Sequence, residues 1–320
     1  MTDTERFGIT IPFDGVPLHQ QREWFEEAAD LGYTDFWSSE ADGTDGFTPL
    51  ALAAAWTPTM RLGQAILPAY LRGPALLAQS AAALCEAAPG RVAIGVGTSS
   101  NVIVERWNGI PFDKPYQRVR DTVRFLKAAL AGEKVSEEYE TFTVKGFKLG
   151  RPLRDVPVPP ILVAALRPGM LKLAGREGDG AIINWLSADD VKTVVPFVGG
   201  KEVVARIFCA PSEDADTVRS MGKFAIAAYL NVPVYAAFHE WLGRGPQLQP
   251  MWDAWQAKDR KAALDAIPDE LVDELIVHGS PEACRAHVQR YIDNGVTTPA
   301  LAILPFGIDP RQALRDLAPR

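Results

Sequence analysis

The chain has few of the residues from which disulfide frameworks and metal centres are built. It contains three cysteines and four histidines among 320 residues. The cysteines, Cys85, Cys209 and Cys284, are odd in number, lie far apart and form no CxxC pair. This usage argues against a disulfide framework or a zinc finger. We therefore expect buried, reduced thiols and no metal site.

Long apolar runs and long basic runs are also missing. Nowhere do 18 apolar residues follow one another without a charge, and residues 1–10 lack the charged-then-apolar pattern of a signal peptide. The formal net charge is −7 at pH 7. These features predict a cytoplasmic protein that acts on a small molecule and binds neither nucleic acid nor a membrane.

Short apolar runs that alternate with helical patterns are abundant. Proline or glycine marks many of the boundaries, as at Gly32 after one helix and Pro74 at the start of another. Eight strands with intervening helices predict an α/β protein with a (β/α)8 TIM barrel rather than an open doubly wound sheet. The predicted strands are 7–13, 35–39, 61–67, 91–97, 161–165, 180–184, 202–210 and 299–304.

One segment is too long for a single crossover helix. Residues 212–280 have a mostly helical pattern, which predicts a helical insertion near the C-terminal half of one domain spanning 1–320. Such an insertion either covers the barrel mouth as a lid or packs against the outside of the barrel.

The segment 91–101, RVAIGVGTSSN, predicts a buried strand that leads directly into a turn. Gly95, Gly97 and Thr98 put bare backbone and a hydroxyl at the end of this strand. Ligands of parallel α/β proteins bind beyond the carboxyl ends of the strands, so this segment is a candidate cofactor floor. A tight turn explains the same residues equally well.

A second candidate segment, 164–170, follows a strand and opens a helix. Free amides near Arg167, Gly169 and Met170 are typical of a phosphate site at a positive helix end, and Arg167 adds a mobile charge. The alternative is a plain Pro-Gly helix start with a solvated arginine.

Three blocks of the sequence resemble one known superfamily. The blocks are LGQAILPAYLRGPALLAQSAAAL, GRVAIGVGTSSNVIVERWNGIPFDKPYQRVRDTVRFLKAAL and PPILVAALRPGMLKLAGREGDGAIINWL. They resemble the bacterial luciferase-like superfamily and, within it, the coenzyme F420-dependent oxidoreductases. The likeness covers nearly the whole chain and is weakest over 231–276. The resemblance implies a homodimeric barrel with F420, or FMN in sister groups, over the carboxyl ends of the strands.

The resemblance also implies a set of site residues. The third strand is expected to end in a bulge with a cis peptide between Ala65 and Ile66, behind the pyrimidine side of the ring. Glu40 and Ser100 are the candidate catalytic residues, although Glu40 fits turn solvation in EADGTDG equally well. The candidate cofactor contacts are Glu40, Ala65, Ile66, Gly97, Thr98, Ser99, Ala165, Leu166, Arg167, Gly169, Met170 and Asn184.

Two departures from the family bear on the substrate. Sugar-phosphate dehydrogenases of this family have a histidine where this chain has Ala41, and a glutamate where it has Ser100. Both residues belong to an acid-base pair for alcohol oxidation, so glucose-6-phosphate oxidation is not expected. We expect hydride transfer between the deazaflavin and a small organic substrate, as in reduction of an unsaturated or carbonyl compound. The alternatives are an FMN-dependent luciferase-like monooxygenase and a non-catalytic deazaflavin-binding protein.

Overall fold

A computed structural model describes residues 6–319 and has the closed parallel barrel that the sequence predicts. Eight parallel strands form the ring in the order β1, β2, β3, β5, β8, β9, β10, β12, and β12 pairs back with β1. The strands are β1 (Gly8–Ile11), β2 (Asp35–Ser38), β3 (Arg61–Gln64), β4 (Leu67–Pro68), β5 (Val92–Gly97), β6 (Val135–Glu138), β7 (Thr143–Phe147), β8 (Ile161–Ala164), β9 (Gly180–Asn184), β10 (Glu202–Ala210), β11 (Ile276–His278) and β12 (Thr298–Ile303).

Helices follow most barrel strands. Several begin with proline in the first turn, where the missing N–H costs nothing. The helices are α1 (Arg22–Asp30), α2 (Thr48–Trp56), α3 (Pro74–Ala87), α4 (Pro115–Leu130), α5 (Pro168–Arg176), α6 (Val191–Val194), α7 (Ala215–Leu230), α8 (Pro233–Trp241), α9 (Gly245–Gln256), α10 (Arg260–Asp265), α11 (Asp269–Leu275), α12 (Pro281–Asp293) and α13 (Pro310–Asp316).

A packed layer of side chains fills the barrel interior. The fully buried Trp37 is its largest member, and a Cβ on Gly8 or Gly63 would overlap the Trp37 indole. Those two glycines therefore make room for the tryptophan, and the barrel is a core rather than a pore. The layer consists of Trp37, Ala93, Leu162, Ile182, Val204 and Ala300.

An ion-pair network closes the N-terminal end of the barrel. Arg61 binds both carboxylate oxygens of Glu202, at 2.5 and 2.8 Å, and lies 3.4 Å from Asp35. The hydroxyl of Thr298 donates to Glu202 at 3.0 Å. All four residues are the first of their strands. A ligand is therefore expected at the opposite end, where the strands finish.

The helices α7 to α11 lie between β10 and β11 in sequence and share a second hydrophobic cluster. This cluster includes Trp185, just after β9, and Phe208, near the end of β10. The helical segment therefore packs against the carboxyl-end side of β9 and β10. The division of the chain into one domain with an insertion at 212–280 stays a prediction.

Cys85, Cys209 and Cys284 are buried and form no disulfide, as expected. Burial raises the pKa of the Cys85 thiol to about 12, so this group is a neutral thiol at pH 7. Within residues 6–319, no group of three or more His, Cys, Asp or Glu side chains is arranged to hold a metal ion. No helix in this range is long and apolar enough to cross a bilayer.

Candidate active site at the barrel mouth

The sequence-predicted site residues lie at one end of the barrel. The strands β2, β3, β5, β8 and β9 end at Ser38, Gln64, Gly97, Ala164 and Asn184. Because the strands are parallel, the segments that follow them meet at the same edge of the barrel. The structure thereby brings together the predicted segments 40, 65–66, 97–100, 165–170 and 184.

The bulge after β3 has the predicted cis peptide between Ala65 and Ile66. Two backbone hydrogen bonds tie it to the end of β2. The N–H of Ala65 donates to the carbonyl of Ser38 at 2.6 Å, and the N–H of Glu40 donates to the carbonyl of Ile66 at 3.2 Å. The bulge is thus a fixed wall on the β2–β3 side of the mouth.

Gly95 and Gly97 serve the chain's own packing. A Cβ on Gly97 would lie 2.8 Å from Cβ of Ala164 and 3.0 Å from Cδ1 of Ile66. A Cβ on Gly95 would overlap the carbonyl of Gln64. The space beside Gly95 is therefore filled by β3 and β9, and the space beside Gly97 by β8 and the bulge. Contact between Gly97 and a cofactor stays a prediction.

Glu40 forms an ion pair that the sequence did not reveal. Its Oε1 accepts from Nη1 of Arg72 at 2.5 Å, and its Oε2 accepts from the N–H of Gly46 at 2.8 Å. The two charged side chains are 9% and 18% exposed. The Arg72 guanidinium also lies 5.1 Å from the ring centre of Phe47. Glu40 therefore fixes Arg72 and the loop 40–47 at the mouth.

The loop after β5 is held by short-range hydrogen bonds. Ser99 has a positive φ of 61°, and the hydroxyl of Thr98 donates to the Ser99 carbonyl at 3.1 Å. The Ser100 Oγ accepts from the N–H of Ile103 at 3.3 Å, at the start of the π-helical segment Val102–Trp107. Because Ser100 accepts in this bond, its hydroxyl proton remains available for another acceptor.

The start of α5 has open donors. Arg167 precedes Pro168 in extended conformation and is exposed, and a Cβ on Gly169 would meet nothing within 4 Å. Among residues 6–319, nothing accepts from the N–H of Gly169 or Met170. The amide of Ala165, by contrast, donates to the carbonyl of Ile182 at 2.9 Å, and Leu166 packs against the core. The exposed helix start therefore has the features of an anion site.

The opposite side of the mouth contains the predicted residue Asn184 and two residues that the sequence reasoning missed, Tyr235 and Arg206. Nδ2 of Asn184 donates to the hydroxyl of Tyr235 at 3.2 Å, while Oδ1 of Asn184 is buried without a partner. Arg206 pairs in register with Asn184 on the neighbouring strand. Its guanidinium lies over the ring of Phe208, 5.1 Å from the centre. The sequence of β10 could have identified Arg206, because side chains at every second position of a strand point to the same face, here the barrel interior.

His239 is a structural residue that links the helical segment to the barrel mouth. Burial and the nearby Arg244 charge lower the pKa of His239 to about 4, so the ring is neutral at pH 7. Its Nε2 lies 3.0 Å from the carbonyl of Trp185. A carbonyl only accepts, so Nε2 carries the ring proton and holds Trp185 in its positive φ of 53°.

Comparison with known proteins finds relatives that are similar in sequence over most of this chain. The 5,10-methylenetetrahydromethanopterin reductase of Methanolobus tindarius is 26% identical over 323 residues, which cover 97% of this chain and 97% of the relative. The F420-dependent glucose-6-phosphate dehydrogenase of Rhodococcus hoagii is 29% identical over 279 residues, covering 82% and 79%.

The fold has a solved counterpart. The F420-dependent tetrahydromethanopterin reductase from Methanopyrus kandleri superposes with a TM-score of 0.81 at 20% identity, covering 98% of this chain and 97% of that one. The sequence model of the luciferase-like monooxygenase family matches residues 5–298. This chain therefore belongs to the luciferase-like monooxygenase family.

Proposed function

We propose that this protein is a coenzyme F420-dependent oxidoreductase that transfers a hydride between the deazaflavin and a small organic substrate. Reduction of an unsaturated or carbonyl compound is the direction we favour. The observation that carries the proposal is the open start of α5, where the amides of Gly169 and Met170 lack acceptors beside the exposed Arg167. A phosphate-bearing cofactor at a barrel mouth requires such an anion site.

The residues present fit this coenzyme. Amides at a helix start and a mobile arginine match the chemistry of a phosphodiester. The wall formed by Ala65 and Ile66 offers an apolar surface for a flat ring, and both side chains pack against the interior layer. When bound, the coenzyme supplies a ring carbon, C5, that accepts or gives a hydride.

The protein's own side chains position the reactants. Glu40 accepts two hydrogen bonds, from Arg72 and from the amide of Gly46, so it acts by fixing the mouth loop rather than by giving a proton. Ser100 has a hydroxyl proton free to donate, and we assign it the role of protonating the substrate, directly or through water. No histidine is needed, since His239 is neutral and bonded to the Trp185 carbonyl.

The titration that tests the proposal compares oxidised F420 with FMN, followed by cofactor fluorescence. We expect F420 to bind at micromolar concentration or below and FMN to bind more weakly. Arg167→Gln should weaken F420 binding about tenfold, the loss of one charge-assisted contact to a phosphate. The matched control is Arg151→Gln, an exposed arginine that precedes β8 at the other end of the barrel.

Two outcomes would overturn the proposal. Preference for FMN over F420 would favour the flavin-dependent monooxygenase instead. Tight F420 binding without turnover of any unsaturated or carbonyl acceptor would favour the non-catalytic binding protein.

A homodimer in the cytoplasm also belongs to the proposal, and light scattering after size-exclusion chromatography tests its dimeric state.

A further inference from the structure

Arg206 is a charged residue inside the barrel without a counterion. It lies on β10 between Val204, which belongs to the interior layer, and Phe208, so it points toward the interior near the mouth. Its Nε is buried and has no hydrogen-bond partner. Its terminal nitrogens make no hydrogen bond or ion pair with any residue of the described range 6–319.

The surroundings of Arg206 are polar but not acidic. Asn184 lies opposite it in register on β9 and has a buried, unpartnered Oδ1. The Tyr235 hydroxyl on α8 accepts a hydrogen bond from Asn184. Although burial has the larger effect, the charge of Arg206 lowers the pKa of this phenol. Burial raises the pKa of Tyr235 to about 12, so its phenol is neutral and has a proton to donate. Arg206 and Tyr235 thus have donors without an anionic acceptor, and Asn184 holds the Tyr235 phenol through its Nδ2. We call these three residues the Arg206 cluster.

A partly buried guanidinium without a counterion is costly unless a ligand compensates its charge. In contrast, the barrel's other inward-facing arginine, Arg61, is fully paired with Glu202 and Asp35. The same fold thus satisfies one interior arginine with carboxylates of its own chain and leaves the other open at the mouth. The difference leaves the second arginine available to a ligand anion.

Arg206 lies away from the predicted cofactor contacts at β3 and α5, and among all the predicted contacts only Asn184 is in register with it. In the ring of eight strands, β10 lies four places from β3, so Arg206 faces the Ala65–Ile66 bulge across the mouth. The anion site at the start of α5 follows β8, two places from β10. A flat ring resting on the bulge would leave the space between its open face and Arg206 for the substrate.

On this basis, and resting on the proposed function, we propose that Arg206 and the Tyr235 phenol, which Asn184 positions, bind a carboxylate group of the substrate. The substrate class is then an unsaturated or carbonyl-bearing carboxylic acid. One guanidinium and one phenol match a planar anion of single charge, whereas a phosphate ester with two charges needs a second cation. The carboxylate anchors the molecule, and its reducible bond lies between the anchor and the ring.

The experiment uses matched pairs of probes, cinnamate with cinnamamide and crotonate with crotonamide. Their dissociation constants are measured by calorimetry with the F420-loaded protein and with the cofactor-free protein. We expect the wild type to bind each carboxylate at least tenfold more tightly than its amide. Arg206→Met keeps the apolar stem and should abolish this preference, and Arg206→Lys should restore part of it. F420 affinity should stay within about twofold in both variants.

Three results would overturn the inference. The first is equal binding of acid and amide, or no binding of the acid, by the wild type. The second is an unchanged preference in Arg206→Met. The third is loss of F420 affinity in Arg206→Met as large as in Arg167→Gln, which would assign Arg206 to the cofactor. Failure of the proposed function can be distinguished from failure of this inference. If the protein binds FMN rather than F420, the preference for acid over amide can still be measured with the cofactor-free protein.

Discussion

Glu40 and Arg72, 32 residues apart in sequence, form an ion pair at the barrel mouth with 2.5 Å between Oε1 and Nη1. The second carboxylate oxygen holds the amide of Gly46. One side chain therefore joins the end of β2, the loop that follows it and the loop after β4. This pair determines the shape of the mouth on the side of the bulge.

Replacing Glu40 should damage this mouth without removing a proton donor. Glu40→Gln leaves Arg72, in a mostly buried site, with only Asp45 at 3.9 Å as a countercharge, which costs about 2 kcal/mol in the free energy of unfolding. F420 affinity should fall together with stability, and Arg72→Met should have the same effect. Urea unfolding and F420 titration check both variants, with the exposed Glu138→Gln as control. Full turnover by Glu40→Gln at unchanged affinity would contradict the positioning role.

Ser100→Ala should affect turnover and not cofactor binding. The hydroxyl is assigned to proton delivery, so kcat should fall about tenfold or more while KM and F420 affinity stay nearly constant. The matched control is Ser280→Ala, since Ser280 also accepts from an amide at 3.3 Å at a helix start. If the two variants have the same kcat, Ser100 only holds the amide of Ile103.

The ion-pair network at the closed end of the barrel should affect stability alone. Burial alone would raise the pKa of Glu202. The hydrogen bonds and the charge of Arg61 outweigh burial and hold this pKa below its ordinary value. Glu202→Gln should therefore lower the free energy of unfolding by about 3 kcal/mol. Its contribution is present above the unfolded pKa and is lost as pH falls through the lower folded value. F420 affinity, measured at the other end of the barrel, should be unchanged; a loss of affinity at retained stability would show coupling between the two ends.

His239 should make the protein less stable in mild acid. Its pKa in the folded state is about 4, below the ordinary value of 6.5, so the unfolded chain binds the proton more readily. Stability should therefore fall by about 3 kcal/mol as pH drops from 7 to 4 on account of this group. His239→Gln should flatten that part of the pH profile of unfolding, measured against His19→Gln on an exposed turn. An unchanged profile would show that the ring protonates without cost.

The sequence predicts the barrel well because its signals are local. Apolar runs such as β5 and β10 and the Pro-Gly start of α5 fix strand and helix positions within a few residues. The hairpin of β6 and β7 has no such local signal. Most of β6 is exposed and polar, so its sequence, VSEE, has no apolar strand pattern.

The missed parts of the site depend on distant pairings. Asn184 meets Tyr235 across 51 residues, and Glu40 meets Arg72 across 32. Neither spacing leaves a pattern in the sequence, since the partners approach only once the barrel closes. Arg206 was overlooked because one charge inside an apolar strand looks like an interruption, although its alternation with Val204 and Phe208 places it inside the barrel.

The measurement that tests the central claim most directly is isotope transfer from reduced F420 deuterated at C5 to an unsaturated or carbonyl acceptor. The reaction is run without oxygen, and the product is analysed by mass spectrometry. The account predicts one deuterium per product molecule and no transfer when the protein is omitted. A second reaction is run in air with labelled dioxygen. A product that forms only there, contains the labelled oxygen and contains no deuterium would contradict the account.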